Sequence, residues 1–257
     1  ISTIGIKQVI AICLLTLSFM LIGMTDDWLS VLKKRSMGLQ AKGKLFLQLF
    51  VSAIFIFWAG INNWIIPIIN IWFDYSINLG NLIWPLVLFV LIAESNSTNL
   101  TDGLDGLAAG CAALVFIGLA LHLNIENSPS NLALAKVCTS MAGASIGFLL
   151  LNRSPAKIFM GDSGSLAIGS TLAAIAVISN TLWPLLIMGG VFLAEAISVI
   201  IQVGVFKISK KIKGSGHRVF LMTPMHHHFE LKGIEEHIIV RNLWSITLLL
   251  IILSFYF

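Results

Sequence analysis

The chain has 257 residues, of which 57% are apolar and 11% charged, with a mean hydropathy of +0.94 and a formal net charge of +4. Soluble proteins carry about 25% charged residues, so this composition excludes a soluble globular protein. Apolar stretches of about 20 residues recur along the whole chain, and each can cross a hydrocarbon layer about 30 Å thick. The sequence therefore predicts an all-α, polytopic membrane helix bundle.

Eight candidate membrane spans follow one another in a single integral-membrane domain covering residues 1–257. Their approximate bounds are 6–24, 44–61, 82–98, 105–123, 133–151, 164–179, 183–205 and 239–256. An even number of spans places both ends of the sequence on one side of the membrane. The three cysteines, Cys13, Cys111 and Cys138, lie in apolar runs and indicate buried small side chains rather than a disulfide framework.

Basic residues distinguish the two faces of this bundle. Fourteen of the 16 Lys and Arg residues lie near span ends on one face, the exceptions being Lys7 and Lys136. That face carries the connections 25–43, 99–104, 152–163 and 206–238. The positive-inside bias predicts that it is cytoplasmic. Anchoring to anionic lipid would explain the same excess of positive charge.

Five aspartates are grouped at predicted span ends on this face. They are Asp26, Asp27, Asp102, Asp105 and Asp162. Helices in a bundle can bring such ends together, and adjacent carboxylates repel unless a cation or a shared proton relieves them. Oxygen ligands of this kind suit Mg²⁺ or Mn²⁺, whose usual partners in enzymes are substrate phosphates. A single aspartate here is typically a helix cap or interfacial residue, but five on one face favour a shared divalent cation.

Two polar segments near these aspartates have features of a nucleotide site. Asn96, Asn99, Asp102 and Asp105 are spaced by three, so successive pairs can be neighbours on a helix or turn. Their amide and carboxylate groups can bind a nucleobase edge or a sugar hydroxyl, or simply cap a helix. The sequence GDSG at 161–164 precedes an apolar run, so free N–H groups at that helix start could receive a phosphate.

An aromatic residue and three histidines add further candidates. Phe159 could stack on a base, although a Phe at a membrane interface more often only packs. His226, His227 and His228 are consecutive within GHRVFLMTPMHHHFELKG. Consecutive side chains on a regular helix cannot all bind one metal, but they could donate to phosphate oxygens, shuttle protons or contact lipid headgroups.

One polar stripe lies within the seventh predicted span. Glu195, Ser198 and Gln202 follow an i, i+3, i+7 pattern and share one helix face. We expect that face to turn away from lipid, where helix-to-helix hydrogen bonding explains the stripe as well as a functional role does.

Four motifs, taken together, are highly specific to one enzyme family. They are DD at 26–27, NLTDGLDGLAAG at 99–110, NRSPAKIFMGDSGSL at 152–166 and PMHHHFELKG at 224–233. In order and content the chain resembles the phospho-N-acetylmuramoyl-pentapeptide transferases, a family within the membrane-embedded polyprenyl-phosphate sugar-1-phosphate transferases. The resemblance covers nearly all of the chain.

The resemblance implies an activity and its partners. The family moves phospho-N-acetylmuramoyl-pentapeptide from its uridine diphosphate carrier (UDP-MurNAc-pentapeptide) onto undecaprenyl phosphate. The products are UMP and lipid I, the first lipid intermediate of peptidoglycan, and Mg²⁺ is required. We therefore expect a multi-pass protein of the bacterial plasma membrane with its active site on the cytoplasmic face and with no nucleic-acid partner. The oligomeric state stays open, with a homodimer among the candidates.

The resemblance also implies roles for individual residues. Asp162 matches the family's magnesium-binding aspartate, and Asp27 is expected to assist in binding the metal. Asp26 matches the residue proposed to deprotonate the lipid phosphate, and Lys42 matches a lysine that meets phosphate. The family's nucleoside-binding positions are matched by Asn99, Asp102, Asp105, Asn152 and Phe159. The same cleft is expected to be lined by Gln202, His226, His227 and His228. Of these, His226 is expected to be catalytic.

Several alternatives stay open at this point. Asp26 could act as a base in a one-step transfer or attack directly to form a phospho-enzyme. A sister enzyme that transfers N-acetylglucosamine-1-phosphate is the nearest rival, although HHHFELKG argues against it. A cation transporter is a rival of another class, but transport sites lie near the bilayer midplane. A non-catalytic membrane scaffold is the third.

The resemblance has one departure, at the front of the chain. Family members have ten spans and an early cytoplasmic loop with a TPTMGG-like stretch. This chain has eight predicted spans and no such stretch, and it opens at Ile1 without an initiator Met. We therefore expect this chain to lack the family's first two spans.

Overall fold

The computed structural model describes residues 3–34, 38–72, 75–126 and 128–256. Within these ranges most of the chain is helical. The helices are Thr3–Lys33 (α1), Ala41–Ile61 (α2), Ile83–Thr101 (α3), Leu107–Glu126 (α4), Pro129–Asn152 (α5), Gly161–Ile178 (α6), Leu182–Met188 (α7), Gly190–Lys213 (α8), Met225–Leu231 (α9) and Glu236–Ser254 (α10). Arg35, one of the basic residues used to orient the bundle, lies outside the described residues.

Eight of these helices are long and apolar enough to cross a membrane, which confirms the predicted helical membrane bundle. Their order matches the eight predicted spans. The first helix is longer than predicted, since α1 continues to Lys33. Asp26 and Asp27 therefore lie inside its last two turns rather than at its end.

The seventh predicted span, 183–205, differs from the structure. The chain forms the short α7, breaks at Gly189 and continues as α8 to Lys213. Two consecutive glycines, Gly189 and Gly190, occupy the break. Each glycine costs a helix about 1 kcal/mol relative to alanine, so this pair is a natural place for the helix to change direction.

A β-hairpin interrupts the connection between α2 and α3, where only a loop was predicted. Its strands are Ile68–Trp72 (β1) and Tyr75–Asn78 (β2), paired antiparallel with Ile69 opposite Ile77. The hairpin lies at the end of the bundle opposite the five aspartates, so it does not contribute to their surroundings.

Helix α6 forms the centre of the bundle, because every residue from Ser165 to Ile178 is buried. Helices α1 and α3 pack along it, and the Thr16 and Thr171 hydroxyls join α1 to α6 at 2.6 Å. A Cβ at Gly23 of α1 would lie 2.2 Å from the Asp162 carbonyl oxygen. Small residues allow this close approach in membrane bundles, and it brings the end of α1 against the start of α6.

Candidate active site

Asp162, in the first turn of α6, is the centre of a polar cluster. Its Oδ1 accepts a hydrogen bond of 2.7 Å from Asn99 Nδ2, which also donates to Ser165 Oγ at 2.9 Å. Its Oδ2 contacts the Lys44 ammonium group. Helices α2 and α3 therefore each supply a side chain to the carboxylate that α6 carries.

Lys44 lies between two carboxylates. Besides its contact with Asp162, its Nζ is 3.9 Å from Asp26 Oδ2. The carboxyl groups of Asp26 and Asp162 are also within hydrogen-bonding reach of each other. A positive charge shared in this way relieves the repulsion between two adjacent carboxylates.

Lys44 is absent from the site predicted from the sequence, where Lys42 was selected instead. Lys42 is exposed at the start of α2, and residues two apart on a helix do not share a face. Lys44, Gln48 and Ser52 follow an i, i+4, i+8 pattern, and the latter two are fully buried. That polar stripe in an apolar helix is the signal that could have identified Lys44, while the role of Lys42 stays a prediction.

Asp27 holds the start of α6. Its Oδ1 accepts the backbone N–H of Asp162 at 3.1 Å, and its Oδ2 accepts that of Ser163 at 3.0 Å. Free N–H groups at a helix start are usually satisfied by such a carboxylate. Gly161 has a φ of +65°, and a Cβ there would lie 2.8 Å from Asp27 Oδ2. Asp27 therefore acts as a helix cap, one of the two roles expected for these aspartates, and its role toward a metal stays a prediction.

Asp26 and Asp102 complete the cluster. Asp26 Oδ1 accepts the N–H of Leu39 at 2.6 Å, which ties the chain before α2 to α1. The carboxyl of Asp102, directly after α3, lies near the N–H of Gly161. Burial, followed by the negative charges of Asp162 and Asp27, raises the pKa of Asp102 to about 7. We call Asp26, Asp27, Asp102 and Asp162, with Lys44 and Asn99, the carboxylate cluster.

Asp105 and Asn152 join two loops beside this cluster. Asp105 Oδ2 accepts the N–H of Ala156 at 2.8 Å. Asn152 Oδ1 accepts the N–H of Gly106 at 3.1 Å, while its Nδ2 donates to the Ile158 carbonyl at 2.9 Å. Phe159 follows directly and is 79% exposed. Asp105 and Asn152, two of the predicted nucleoside-binding residues, thus fix the loop that presents the Phe159 ring.

The remaining predicted residues form a second region, which we call the histidine region: Gln202, residues 216–223 and α9. Gln202 Oε1 accepts the N–H groups of Val219 and Phe220 at 2.9 and 3.0 Å, and its Nε2 donates to the Phe220 carbonyl at 2.9 Å. His228 Nδ1 accepts the N–H of Leu221 at 3.2 Å. Each of these side chains therefore holds a backbone segment in place.

The other two histidines differ in exposure. His227 is partly exposed and its Nδ1 lies 2.5 Å from Glu230 Oε2, one turn along α9. His226 is fully buried. A cavity of about 330 Å³, lined in part by Gln202, Lys207, Arg218 and Met222, opens beside this region.

The donor chemistry of the carboxylate cluster fits Mg²⁺. Among the described residues there is no preformed cage of three or more His, Cys, Asp or Glu side chains. Mg²⁺ usually keeps several waters and binds through one or two carboxylates together with substrate phosphates. Asp162, Asp26 and Asp102 offer such carboxylates, whereas both oxygens of Asp27 already accept backbone N–H groups.

Comparison with known proteins gives the family. The family described as glycosyl transferase family 4 matches residues 9–180. A phospho-N-acetylmuramoyl-pentapeptide-transferase of Prochlorococcus marinus is 57% identical over 245 residues, which is 94% of this chain and 65% of the relative. Another from that species is 58% identical, covering 95% of this chain and 67% of the relative.

A third relative extends this match. A phospho-N-acetylmuramoyl-pentapeptide-transferase of a Synechococcus species is 53% identical over 251 residues, or 98% of this chain and 68% of the relative. The chain therefore spans about two thirds of the length of the curated relatives it matches. It is a multi-pass membrane protein that belongs to glycosyl transferase family 4 and, within it, to the phospho-N-acetylmuramoyl-pentapeptide-transferases.

Proposed function

We propose that this protein transfers phospho-N-acetylmuramoyl-pentapeptide from UDP-MurNAc-pentapeptide to undecaprenyl phosphate, producing lipid I and UMP for peptidoglycan synthesis. The observation that carries this proposal is the contact of Lys44, Asn99 and Asp26 with Asp162 at the start of α6. Such a set of opposite charges at a helix start suits phosphate transfer. The names of the relatives supply the donor sugar and peptide.

Magnesium is part of this proposal, with Asp162 as its principal ligand and Asp26 or Asp102 beside it. When bound there, Mg²⁺ would neutralise charge on the diphosphate during transfer. Asp27 contributes by capping α6, which fixes the backbone that carries Asp162. Lys44, which lies between Asp26 and Asp162, would pair with phosphate oxygens of the donor through its ammonium group.

Asp26 is the proposed base that takes the proton from the lipid phosphate. The Leu39 N–H holds its Oδ1, and Oδ2 faces Lys44. These contacts fix the orientation of the carboxylate, which a general base requires. The proposed step is direct attack by the lipid phosphate, with Asp26 taking its proton, rather than a phospho-enzyme at Asp26.

The donor is proposed to lie against the loop that ends at Phe159. The exposed ring offers a surface on which a uracil base can stack. Asp105 and Asn152 support this loop through Ala156 and Ile158, and the partly exposed His227 and His228 are proposed to line the same cleft. The basic residues at this end of the bundle support a cytoplasmic site, where a soluble nucleotide meets an acceptor phosphate at headgroup level.

The test is UMP release by the full-length gene product in lipid nanodiscs with Mg²⁺. UDP-MurNAc-pentapeptide and UDP-N-acetylglucosamine are each supplied with undecaprenyl phosphate. We expect UMP from the muramyl donor alone, and none when Mg²⁺ is chelated. UMP from the N-acetylglucosamine donor alone would favour the sister activity, and UMP from neither would contradict both enzyme functions.

A further inference from the structure

A buried pair of titratable side chains lies beside the turn that follows Asp102. Glu195 on α8 and His226 on α9 are both fully buried. Glu195 Oε2 accepts the backbone N–H of His226 at 3.2 Å and lies 3.3 Å from Nδ1 of the same residue. The Glu195 carboxylate therefore holds the backbone of His226 by a hydrogen bond and lies beside Nδ1 of its ring.

The opposite edge of the His226 ring packs against Gly103. A Cβ at Gly103 would lie 2.2 Å from His226 Nε2, so a larger residue would displace either the ring or the turn. Gly103 directly follows Asp102, whose carboxyl lies near the N–H of Gly161 and the charges of Asp162 and Asp27 in the carboxylate cluster. The contacts thus continue from Glu195 through His226 to the turn that carries Asp102.

Packing alone does not explain this pair. Burying a carboxylate and an imidazole is unfavourable unless their polar atoms are well paired, and an apolar pair of the same volume would avoid that cost. Among the described residues, Glu195 Oε1 and both ring nitrogens of His226 have no hydrogen-bond partner. The polar groups of Glu195 and His226 therefore serve to orient neighbouring groups rather than to maximise the stability of the fold.

We infer that Glu195 is a positioning residue: through His226 it fixes the turn at Gly103 and so the place of the Asp102 carboxylate. Because the His226 side chain is fully buried, it acts through Gly103 rather than by touching substrate. The effect on turnover rests on the proposed function, whereas the effect on the His226 ring does not.

The first test observes the ring itself. The full-length gene product is labelled with ¹⁵N-histidine, and the His226 signals are assigned by their loss in His226→Gln. Glu195→Ala should shift both ring nitrogen signals, because it removes the carboxylate 3.3 Å from Nδ1 and the hydrogen bond that holds the His226 backbone. Ser198→Ala is the matched control, since Ser198 is buried on the same helix face and its hydroxyl donates to the Glu195 carbonyl rather than to the Glu195 carboxylate. Identical His226 signals in wild type and Glu195→Ala would overturn the inference.

The second test asks whether Glu195 acts through Asp102. Turnover is measured for Glu195→Ala, Asp102→Asn and the double variant. If the two residues act in series, the double variant should match Asp102→Asn within about twofold, although Glu195→Ala alone lowers kcat by about tenfold. Losses that multiply would overturn the inference, and Ser198→Ala should stay within about threefold of wild type. An inactive wild type would contradict the proposed function instead, and the ring signals would then decide the inference alone.

Discussion

The carboxylate cluster and the histidine region lie at the same end of the bundle but use their polar side chains differently. In the cluster, charged side chains pair with one another, as Lys44 does with Asp162 and Asp26. In the histidine region, side chains hold backbone, as Gln202 does with Val219 and Phe220. The charged side chains of the carboxylate cluster can exchange one another for a metal ion or a phosphate. The side chains of the histidine region would leave backbone groups without hydrogen bonds if they released their loop.

This difference predicts two kinds of variant. Changes in the carboxylate cluster should lower the rate of the chemical step, because its charges balance those of the reacting groups. Changes in the histidine region should alter loop order and donor affinity first. Asp27 belongs by position to the cluster but behaves like the second region, because its carboxylate holds the backbone of α6.

The largest effect is expected for Asp162→Asn. The amide cannot neutralise Lys44 or bind a divalent cation well, so UMP release should fall by about 10³-fold. The fold should survive, since the amide oxygen can still accept from Asn99. The checks are steady-state UMP release and the thermal midpoint in detergent, and turnover within tenfold of wild type would remove Asp162 from the chemistry.

The next effect separates two lysines of α2. Lys44→Met leaves the Asp26 and Asp162 carboxylates without their shared cation, and kcat should fall by about 10²-fold. Lys42→Met alters an exposed side chain and should cost much less. Lys136→Met, at the opposite end of the bundle, controls for the loss of a surface charge. A larger loss at Lys42 than at Lys44 would reverse this assignment.

These two lysines show how far sequence reasoning reaches. The eight spans are predictable because hydrocarbon thickness fixes helix length and composition, and polar residues at span ends point to one face. Side-chain partners depend on helix rotation, which hydropathy does not specify. Lys44 was missed for that reason, and the hydrogen bonds by which Asp27 caps α6 could not be foreseen, while its role toward a metal stays a prediction.

The break at Gly189 and the pairing of β1 with β2 were missed for related reasons. Both lie in apolar sequence, so hydropathy does not distinguish them from a continuous span or a simple loop. In each case the decisive feature is local: two glycines that weaken a helix, and a short pairing between Ile68–Trp72 and Tyr75–Asn78. Neither lies at the candidate site, so the prediction of the site does not depend on them.

An intermediate effect is expected in the histidine region. Gln202→Ala removes three hydrogen bonds to Val219 and Phe220, each with a net contribution of about 0.5–1.5 kcal/mol. Amide hydrogen exchange across residues 217–221 should accelerate. The KM for the donor should rise several-fold, with kcat changed by less than about threefold. Gln202→Glu keeps the acceptor oxygen, so its KM should lie between those of wild type and Gln202→Ala. A large loss of kcat with unchanged KM would place Gln202 with the carboxylate cluster instead.

The smallest effect is a pH dependence that comes from Asp102. Its pKa is about 7 in the folded protein, against an ordinary value of 3.8, so between these values the folded state holds a proton that the unfolded state has lost. Stability should therefore fall as pH rises through this window and level off above about pH 7. Asp102→Asn resembles the protonated form and lacks this loss. With divalent metals chelated, the thermal midpoint of Asp102→Asn minus that of wild type should be a few degrees larger at pH 7.5 than at pH 4.5. A difference that does not change with pH would mean that Asp102 is not held in the buried, negatively charged surroundings described here.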